Sequence, residues 1–497
     1  MKNWVEALRK RMLSLKTSLS TGGGLALLVA CLLILPLVFL PLHNLHRNSL
    51  QQASKEVSNG AGGNATASGA NTKSTGTGPA AENEEKQDTK SSSEKNDSSE
   101  ASGHPDNNDS SETGDSSEAS TTSGTVTPME PTTPPTPTTP PTLVSSATLG
   151  ATGDILLHMA VVNAFAAGGS YDFSRAFAAV APYYQIADLM VANLEVPLVN
   201  PADGYYGYSS NPFASPDAIA IALQNAGVDI CLTANNHTYD AGHYGLIRTQ
   251  QVLDNLGLGR VGTRMDAEAP TFLIRDVNGI RLGLACYTYE TGADEYAKKT
   301  LNGIPIPAED APLICSFDYE HLEDFYADVS ARLSEMEANG CDAKVFFLHW
   351  GEEYEDYPNG LQQMIAQKLC DLGVDAIIGG HPHVLQRYSV LESENGHKMA
   401  VLYSTGNELS NQRKEYMSAE GYSGDTEDGI IFLLRFDKWS DGSMTLGDVG
   451  AIPTWVEQTD IFRIIPLDPG KSPEEWPTAQ TALAQESYQR TLSRVWG

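Results

Sequence analysis

The sequence has few cysteines for its length, and their spacing excludes two common uses. Six of the 497 residues are cysteine. No two of them have the CxxC spacing of a zinc knuckle, and five of the six follow residue 142. Five cysteines cannot all pair with one another, so the sequence indicates no complete disulfide framework. A bridge between Cys315 and Cys341 is the one pairing that the sequence leaves open.

Basic residues are also scarce. Lysine and arginine number 32 against 63 aspartates and glutamates, which gives a formal charge of −31. Residues 1–50 carry +5 and residues 51–142 carry −9, which leaves −27 for the rest of the chain. A nucleic-acid-binding domain needs a basic surface to neutralise phosphates. The composition therefore predicts no nucleic acid partner.

An uncharged apolar run stands near the N-terminus, LALLVACLLILPLVFLPL at residues 25–42, after a segment with five lysines and arginines. Eighteen such residues can cross about 30 Å of hydrocarbon, and the preceding positive charges favour the cytoplasm. We predict that residues 1–46 are a cytoplasmic N-terminus with a transmembrane signal anchor. The protein would then be a single-pass cell-membrane protein with an extracellular C-terminal domain. The alternative is a cleaved signal peptide, whose apolar region is normally shorter and ends in an AxA-like site.

Residues 47–146 are rich in Ser, Thr, Glu and Pro and close with PTTPPTPTTPPT. Such a segment buries too little apolar surface to offset its ordering entropy, so we predict a disordered linker. Its proline block favours an extended spacer. The linker would act as a stalk that holds a domain away from the membrane.

From residue 147 onward, strand-like runs alternate with helical ones. SPDAIAIALQNAG at 215–227, for example, has a Ser and an Asp at its start and a Gly at its end, which is typical of a helix. Repeated β-α units predict a layered α/β domain, with its site beyond the C-terminal ends of the strands. We place this domain at 147–470 and a C-terminal helical tail at 471–497.

Polar side chains follow many of the predicted strands, and parallel strands bring their C-terminal ends to one crevice. Carboxylates, an amide oxygen and several imidazoles suit a pair of divalent ions such as Mn, Fe or Zn better than a single structural zinc. Two such ions can activate a water and hold a phosphoryl group during attack. The residues at these ends are Asp154, His158, Glu195, Asn236, His237, His349, Glu353, His381, His383 and Asn407.

Six ordered motifs within residues 147–410 carry a family resemblance: TGDILL, VANLEVPL, LTANNHTYDAG, FLHWGEEY, GGHPHV and YSTGN. They closely resemble the capsule-synthesis CapA family, associated with poly-γ-glutamate capsule production. That family in turn resembles the calcineurin-like metallophosphoesterases. The resemblance implies a four-layer αββα sandwich and a two-metal site.

The resemblance also implies roles for individual residues. Asp154 and His383 would hold the first metal, Glu195 would bridge, and His237 would donate a proton to the leaving oxygen. This last role suits an imidazole near its neutral pKa. The ligands implied for the second metal are Asn236, His349 and His381.

Two features depart from the phosphoesterase pattern. Asp154 and His158 are four residues apart instead of two, so a ligand role for His158 stays open. The bridging position is normally an Asp, whereas here it is Glu195. Glu353 could orient His349, contact substrate or be a solvated loop acid, and Asn407 could contact the site or be a turn residue.

Two functions follow from these observations. The first is a membrane-anchored, metal-dependent hydrolase or transferase that acts on a capsule or cell-envelope polymer. The second is a non-catalytic, polymer-binding component of a capsule synthesis and export complex. In both, the partners are the membrane, the polymer and other capsule-synthesis proteins.

Overall fold

A computed structural model describes residues 140–207, 212–292, 299–417 and 424–497. The predicted anchor at 25–42 and the stalk up to residue 139 lie outside the described residues. Within the described ranges, no helix combines the length and the apolar character needed to cross a membrane. The described residues form a mixed α/β fold, consistent with the predicted metallophosphoesterase-like domain.

The strands alternate with helices from residue 143 onward. In chain order they are β1 (Leu143–Ile155), β2 (Ala166–Ala167), β3 (Ser170–Tyr171), β4 (Leu189–Leu194), β5 (Ile230–Leu232), β6 (Gly259–Val261), β7 (Phe272–Val277), β8 (Ile280–Tyr289), β9 (Thr300–Leu301), β10 (Ile304–Pro305), β11 (Ser316–Phe317), β12 (Ala343–His349), β13 (Ala376–Gly380), β14 (Tyr388–Glu392), β15 (Lys398–Leu402), β16 (Asn407–Leu409), β17 (Asp428–Trp439), β18 (Met444–Gln458) and β19 (Phe462–Pro466).

The α-helices are α1 (Met159–Ala164), α2 (Ser174–Phe177), α3 (Ala181–Tyr184), α4 (Ala218–Ala226), α5 (Gly242–Leu256), α6 (Leu322–Ala338), α7 (Gly360–Leu372), α8 (Lys414–Met417) and α9 (Thr481–Trp496). Short 3₁₀ turns occur at Pro201–Asp203, Ala311–Leu313, Asp425–Glu427 and Pro473–Glu475. Helices α4, α5 and α7 each end at a glycine in the left-handed conformation: Gly227, Gly257 and Gly373. These are the residues that favour such an end.

Two large sheets organise the domain. The first has the order β19-β18-β17-β1-β4-β5-β6, and β16 also pairs with β1. The second has the order β11-β8-β12-β13-β15-β14, with β7 beside β8. Strands β1, β4, β5 and β6 are parallel, and so are β8, β12, β13 and β15. The parallel strands carry their following loops to one edge of each sheet.

Apolar side chains alternate between the faces of each strand. In β12, Val345 and Phe347 belong to a cluster that also contains β1 residues, whereas Phe346 and Leu348 pack with α6 and α7. A third cluster packs α1 to α5 on the other face of the first sheet. The cluster that contains Val345 and Phe347 therefore lies between the two sheets. The other two clusters pack helices on the outer faces of the sheets.

The sequence FSRAFAAVAPYYQIA at 173–187 predicts one helix, and this prediction was wrong in one respect. The structure has two short helices there, α2 and α3, instead of one continuous helix. Pro182 lies at the start of α3. A proline lacks the N–H of an interior helical bond and its ring crowds the carbonyl four residues earlier, so the helix begins again at this point.

The sequence VDICLTANNH at 228–237 predicts one strand, but the strand in the structure is shorter. It ends at Leu232, and residues 233–240 form a tight loop. The Thr238 hydroxyl accepts from the Asn235 amide at 2.9 Å and donates to the Thr233 carbonyl at 2.7 Å. These side-chain bonds replace the ladder bonds of a strand.

The five cysteines of the described residues, Cys231, Cys286, Cys315, Cys341 and Cys370, are unpaired and buried. The open question of a bridge between Cys315 and Cys341 is therefore answered in the negative. Each thiol lies in or beside an apolar cluster and acts as a small packing residue.

Glu408 in β16 is a fully buried carboxyl group. It accepts hydrogen bonds from the Tyr184 hydroxyl at 2.6 Å and from the Thr454 hydroxyl at 2.9 Å. Burial raises the pKa of Glu408 to about 7, although these hydrogen bonds oppose the shift. The folded protein therefore favours the protonated carboxyl more than the unfolded chain does.

Glu408→Gln is expected to change the pH dependence of stability. The folded pKa lies above the unfolded one, so the stabilising contribution is complete below about pH 4.5 and is lost as the pH rises through about 7. Wild type loses this contribution between pH 5 and pH 8, whereas the variant has no carboxyl to ionise. Over this range the free energy of unfolding of the variant should therefore rise by on the order of 2–3 kcal/mol relative to that of wild type. Urea unfolding at both pH values measures this, with the exposed Glu486→Gln as the control. Parallel pH curves for wild type and Glu408→Gln would contradict the prediction.

Candidate metal centre

The predicted site residues converge where the strands of the two sheets end. Asp154 lies near the end of β1, and Glu195 follows β4 directly. His349 is the last residue of β12, and His381 follows β13. All four side chains are buried. The first two come from one sheet and the last two from the other, so the site lies between the strand ends of both.

Gly380 lets β13 of the second sheet approach Asp154, and Gly379 lets β13 lie close to the chain that follows β15. A Cβ on Gly380 would lie 2.7 Å from Asp154 Oδ1, and one on Gly379 would lie 2.0 Å from the Tyr403 carbonyl oxygen. The chain then turns sharply, because His381 and His383 have φ angles of 95° and 57°. Non-glycine residues rarely adopt such angles, which cost on the order of 1–3 kcal/mol. This backbone turns both imidazoles toward the carboxylates.

Two sets of three side chains place potential ligand atoms within 4.8 Å of one another. One set is Glu195, His349 and His381, and the other is Asp154, Glu195 and His383. Every member is buried, and Glu195 belongs to both sets. The amide oxygen of Asn236 lies 2.9 Å from His349 Nε2, beside the first set. The structure therefore gathers the six residues predicted as ligands in one place.

Two polar atoms of this cluster are buried without a hydrogen bond among the described residues. They are Glu195 Oε1 and His381 Nδ1. The nearest charged neighbours of Glu195 Oε1 are His349 Nε2 at 3.3 Å and His383 Nε2 at 3.9 Å. A buried carboxylate oxygen and a buried imidazole nitrogen are costly when unpaired. Carboxylate and imidazole donors suit divalent transition metals, so the residues fit such ions.

The histidines of the cluster differ in protonation. Burial and the charges of His349 and His383 hold the pKa of His381 well below its usual value. Burial also opposes the charged form of His383, but the charges of Glu195 and Asp154 outweigh it and raise the pKa of His383 to about 9. Neutral His381 can ligate directly, whereas His383 must lose a proton before it can bind a cation.

Asp154 is held as a carboxylate. Burial raises its pKa, but the hydrogen bond to His383 and the charges of His383 and His349 outweigh burial, and the pKa is lowered. Asp154 Oδ2 lies 3.3 Å from His383 Nδ1 and accepts from the His381 backbone N–H at 3.1 Å. Asp154 Oδ2 therefore faces the loop after β13, which carries both histidines.

Asn193 is a site residue that the sequence analysis did not single out. Its amide nitrogen donates to Asp154 Oδ1 at 2.7 Å and to Glu195 Oε2 at 3.3 Å, and lies 3.4 Å from His349 Nδ1. Its oxygen accepts from Asn235 Nδ2 at 3.2 Å. One amide thus fixes the orientation of both carboxylates. Its position in NLE, two residues before Glu195, was the available signal.

His237 is held by a second residue that the sequence analysis missed. The Asp240 carboxylate accepts from His237 Nδ1 at 2.7 Å, and both side chains are almost completely buried. Asp240 Oδ2 also accepts from the Phe213 backbone N–H at 2.7 Å, and the Phe213 ring packs edge-on against His237. With Nδ1 bonded to Asp240, Nε2 is the nitrogen that remains for substrate chemistry.

The hairpin of β9 and β10 also reaches this point. Asn302 Oδ1 accepts from Asn236 Nδ2 at 3.0 Å, and Asn302 Nδ2 lies 3.3 Å from His237 Nδ1. Asn236 and His237 are therefore contacted from a segment more than 60 residues away. No sequence pattern at Asn302 indicated this contact.

The three further candidates have different surroundings. His158 belongs to neither ligand set, and burial lowers its pKa to about 4. Its Nδ1 accepts from the Asn411 backbone N–H at 3.4 Å. Glu353 is exposed, although its charge contributes to the raised pKa of His383. Only Asn407 contacts a candidate ligand directly.

Asn407 orients His383. Asn407 Oδ1 lies 3.1 Å from His383 Nδ1, and its amide nitrogen donates to the His383 carbonyl at 3.2 Å. The same amide donates to Gln412 Oε1 at 2.8 Å and to the Thr426 carbonyl at 3.0 Å. Outer residues of this kind fix the ring and tautomer of a metal-binding histidine.

Asn407→Ala is expected to weaken metal binding about 10- to 100-fold, because His383 loses the amide that orients its ring. The apparent dissociation constant can be measured by competition with a chelator. Gln412→Ala is the matched control, since Gln412 contacts Asn407 but makes no hydrogen bond to His383. Equal affinities for Asn407→Ala and wild type would assign Asn407 to folding alone.

The family match covers the part of the chain that carries the site. Residues 148–412 match the family described as "Bacterial capsule synthesis protein PGA_cap". The chain is 27% identical over 271 residues to the capsule biosynthesis protein CapA of Bacillus anthracis, a match that covers 53% of this chain and 60% of that relative. It is 26% identical over 238 residues to the PGA biosynthesis protein CapA of Bacillus subtilis, covering 48% and 57%. The chain therefore spans about three fifths of the length of these relatives.

A solved structure, TT1561 of Thermus thermophilus, is 12% identical with a TM-score of 0.31. The match covers 61% of this chain and 99% of that one. A likeness at this level carries no argument about the fold or the chemistry.

Proposed function

Since the chain belongs to the bacterial capsule synthesis family PGA_cap, within the metallophosphoesterase-like superfamily, we propose that it is a metal-dependent hydrolase or transferase of a capsule or cell-envelope polymer. The packing of helices on the outer faces of two sheets that share a core supports a four-layer αββα sandwich. The strand ends of both sheets supply the residues of the active site.

The observation that carries this proposal is the sharing of buried Glu195 between two ligand sets. We propose two divalent ions, Mn, Fe or Zn, with Asp154 and His383 on one and His349, His381 and Asn236 on the other. When bound, such ions would supply Lewis-acid activation of the scissile ester or amide and of the attacking water. The unpaired Glu195 Oε1 and His381 Nδ1 would gain partners.

His237 is proposed as the proton donor to the leaving group. Its Nδ1 is fixed by Asp240 at 2.7 Å, so the ring is held with Nε2 available. A proton delivered from Nε2 would neutralise the developing charge on the leaving oxygen or nitrogen. Asn193 and Asn407 would hold the carboxylates and His383 in place throughout the reaction.

We propose that residues 25–42 anchor the protein in the cell membrane and that the domain lies outside the cell, next to the capsule polymer. Other capsule-synthesis proteins are the expected partners. The sequence pattern of a charged segment, an apolar run and a long polar stalk supports this location. Digestion of intact cells with an added protease should remove the domain and leave the N-terminal segment protected.

The alternative is a polymer-binding component without turnover, in which the same residues bind a cation that stabilises the fold. Glu195 supports this alternative, because a Glu at the bridging position places its oxygens further from the backbone than the Asp of phosphoesterases does. Both functions predict bound metal. Only the enzyme predicts that loss of His237 abolishes an activity.

The test uses the purified full-length chain, its His381→Ala variant and its His237→Ala variant. Metal content is measured first, followed by cleavage of p-nitrophenyl phosphate esters and of poly-γ-glutamate. We expect His381→Ala to lose metal and all turnover. His237→Ala should keep its metal and lose chiefly the cleavage of poly-γ-glutamate, because an amide leaving group needs a proton whereas p-nitrophenolate does not. Metal-loaded wild type that cleaves neither substrate, although it binds the polymer, would contradict the enzyme proposal and favour the binding component.

A further inference from the structure

A second charged cavity lies away from the metal centre, at the edge strand β6. It has a volume of about 290 Å³. Its charged lining residues are Asp254, Arg260, Arg264 and Arg275. None of these belongs to the ligand sets. A wider cavity of about 860 Å³ adjoins it and shares Arg264 and residues 269–273.

The three arginines of the smaller cavity are not equivalent. Arg260 is neutralised by Asp254, with its Nε 2.8 Å from Asp254 Oδ1, and it also donates to Gln250 and to the Thr263 carbonyl. Arg264 donates only to backbone carbonyls, those of Pro312 at 2.7 Å and Ala269 at 3.4 Å.

Arg275 resembles Arg264 in this respect. It donates to the Ile274 carbonyl at 3.1 Å. Among the described residues, neither Arg264 nor Arg275 has a carboxylate within the 4.0 Å of an ion pair. Both are only partly exposed, so their charges are poorly screened by solvent. Burial raises the pKa of Asp229 and the nearby charge of Arg275 opposes that shift, so Arg275 has one more distant acidic neighbour. Two guanidinium groups without a direct ion pair therefore line one small cavity.

This local excess of positive charge is unusual in such an acidic domain. The residues after 142 carry a formal charge of −27, yet the cavity is lined by three arginines and one aspartate. An anion approaching most of the domain would be repelled. At this cavity it would meet two guanidinium groups that form no direct ion pair, each able to bind a carboxylate through paired N–H donors.

The cavity is connected to the metal centre by one short segment. The Thr263 hydroxyl lies 2.8 Å from the Thr233 hydroxyl, and Gly262 packs against Ala234. Asn236 follows Ala234 by two residues and lies beside the ligand set that contains His349. The cavity and the metal centre are therefore linked through neighbouring buried residues of the fold.

From these observations we propose that Arg264 and Arg275 bind a carboxylate of an acidic polymer, outside the metal centre. The volume is near the lower limit of about 300 Å³ for ligand pockets, which suits one acidic unit of a chain. The assignment of that carboxylate to the capsule polymer rests on the proposed function. The anion site itself rests on the two unpaired arginines.

The test measures binding of a fluorescein-labelled γ-linked glutamate oligomer to the full-length chain by anisotropy. The variants are Arg264→Gln and Arg275→Gln. Arg281→Gln is the control, since this substitution removes the same charge at an exposed residue that does not line the cavity. Arg275→Gln is the variant less able to disturb folding, because Arg275 bonds only to the neighbouring carbonyl. Unfolding temperatures are recorded for all variants.

We expect the dissociation constant of the oligomer to rise about tenfold in each variant and to stay within about twofold in Arg281→Gln. Free glutamate should compete far less well than the oligomer. Equal affinities for Arg275→Gln and Arg281→Gln would overturn the proposal, and equally effective free glutamate would overturn the polymer assignment. Weakened oligomer binding in a protein whose wild type cleaves no ester would support this inference while contradicting the proposed enzyme activity.

Discussion

Replacing Glu195 by Gln is expected to remove both metal ions from the protein. Glu195 is the one side chain that belongs to both ligand sets, and its Oε1 has no hydrogen-bond donor among the described residues. The substitution keeps the shape but removes the negative charge, so two cations lose a shared ligand. We expect the affinity for both ions to fall by more than about 100-fold. Metal analysis after dialysis against a weak chelator measures the loss.

His349→Ala shows how much metal is lost when the residue removed belongs to one ligand set instead of both. His349 belongs to only one set, so this variant should keep one of the two ions. Glu353→Gln makes the same chemical change as Glu195→Gln at an exposed carboxylate and should keep both. A Glu195→Gln protein with the metal content of wild type would show that the two sets do not share a ligand.

His237→Ala is expected to lower kcat about 10²- to 10⁴-fold without loss of metal, because His237 is in neither ligand set. The effect should depend on the leaving group. An alkyl ester leaves as a strong base and needs the proton, whereas p-nitrophenolate leaves without one. We therefore expect a larger loss for the alkyl ester, measured as kcat for both substrates.

Asp240→Asn tests the orientation of the same ring. It replaces the carboxylate that accepts from His237 Nδ1, so the preferred tautomer is lost and kcat should fall in the same leaving-group-dependent manner. His243→Ala is the control, because His243 lies on α5 with most of its side chain exposed. Equal losses for both esters in His237→Ala would contradict a proton-donor role.

The α/β layering could be predicted from the sequence because buried strands and helices leave different apolar periods. In β12, successive residues from Val345 to Leu348 face different clusters, which reads in the sequence as one continuous apolar run. The same run does not reveal which strands are neighbours. β16, for example, lies beside β1 although more than 250 residues separate them. Such pairing depends on tertiary packing, which no local pattern records.

The convergence of the proposed ligands could be predicted because these residues follow strands, but the residues that support them could not be predicted. Asp240 lies three residues after His237 and resembles an ordinary turn acid in the sequence, whereas in the structure it holds the imidazole. Asn193 lies within β4, and the sequence signals were its polarity on a buried strand and its position two residues before Glu195. In both cases the role depends on the direction of a side chain, which becomes fixed only when several segments pack together.

The long first strand has a mechanical consequence. β1 is paired along most of its length with β17 in antiparallel register and with β4 in parallel register. Tension applied to the chain just before residue 143 would act along β1 and would have to shear many hydrogen bonds at once. Strands loaded lengthwise in this way resist extension better than strands peeled apart one bond at a time, so the domain would withstand pulling through the proposed stalk.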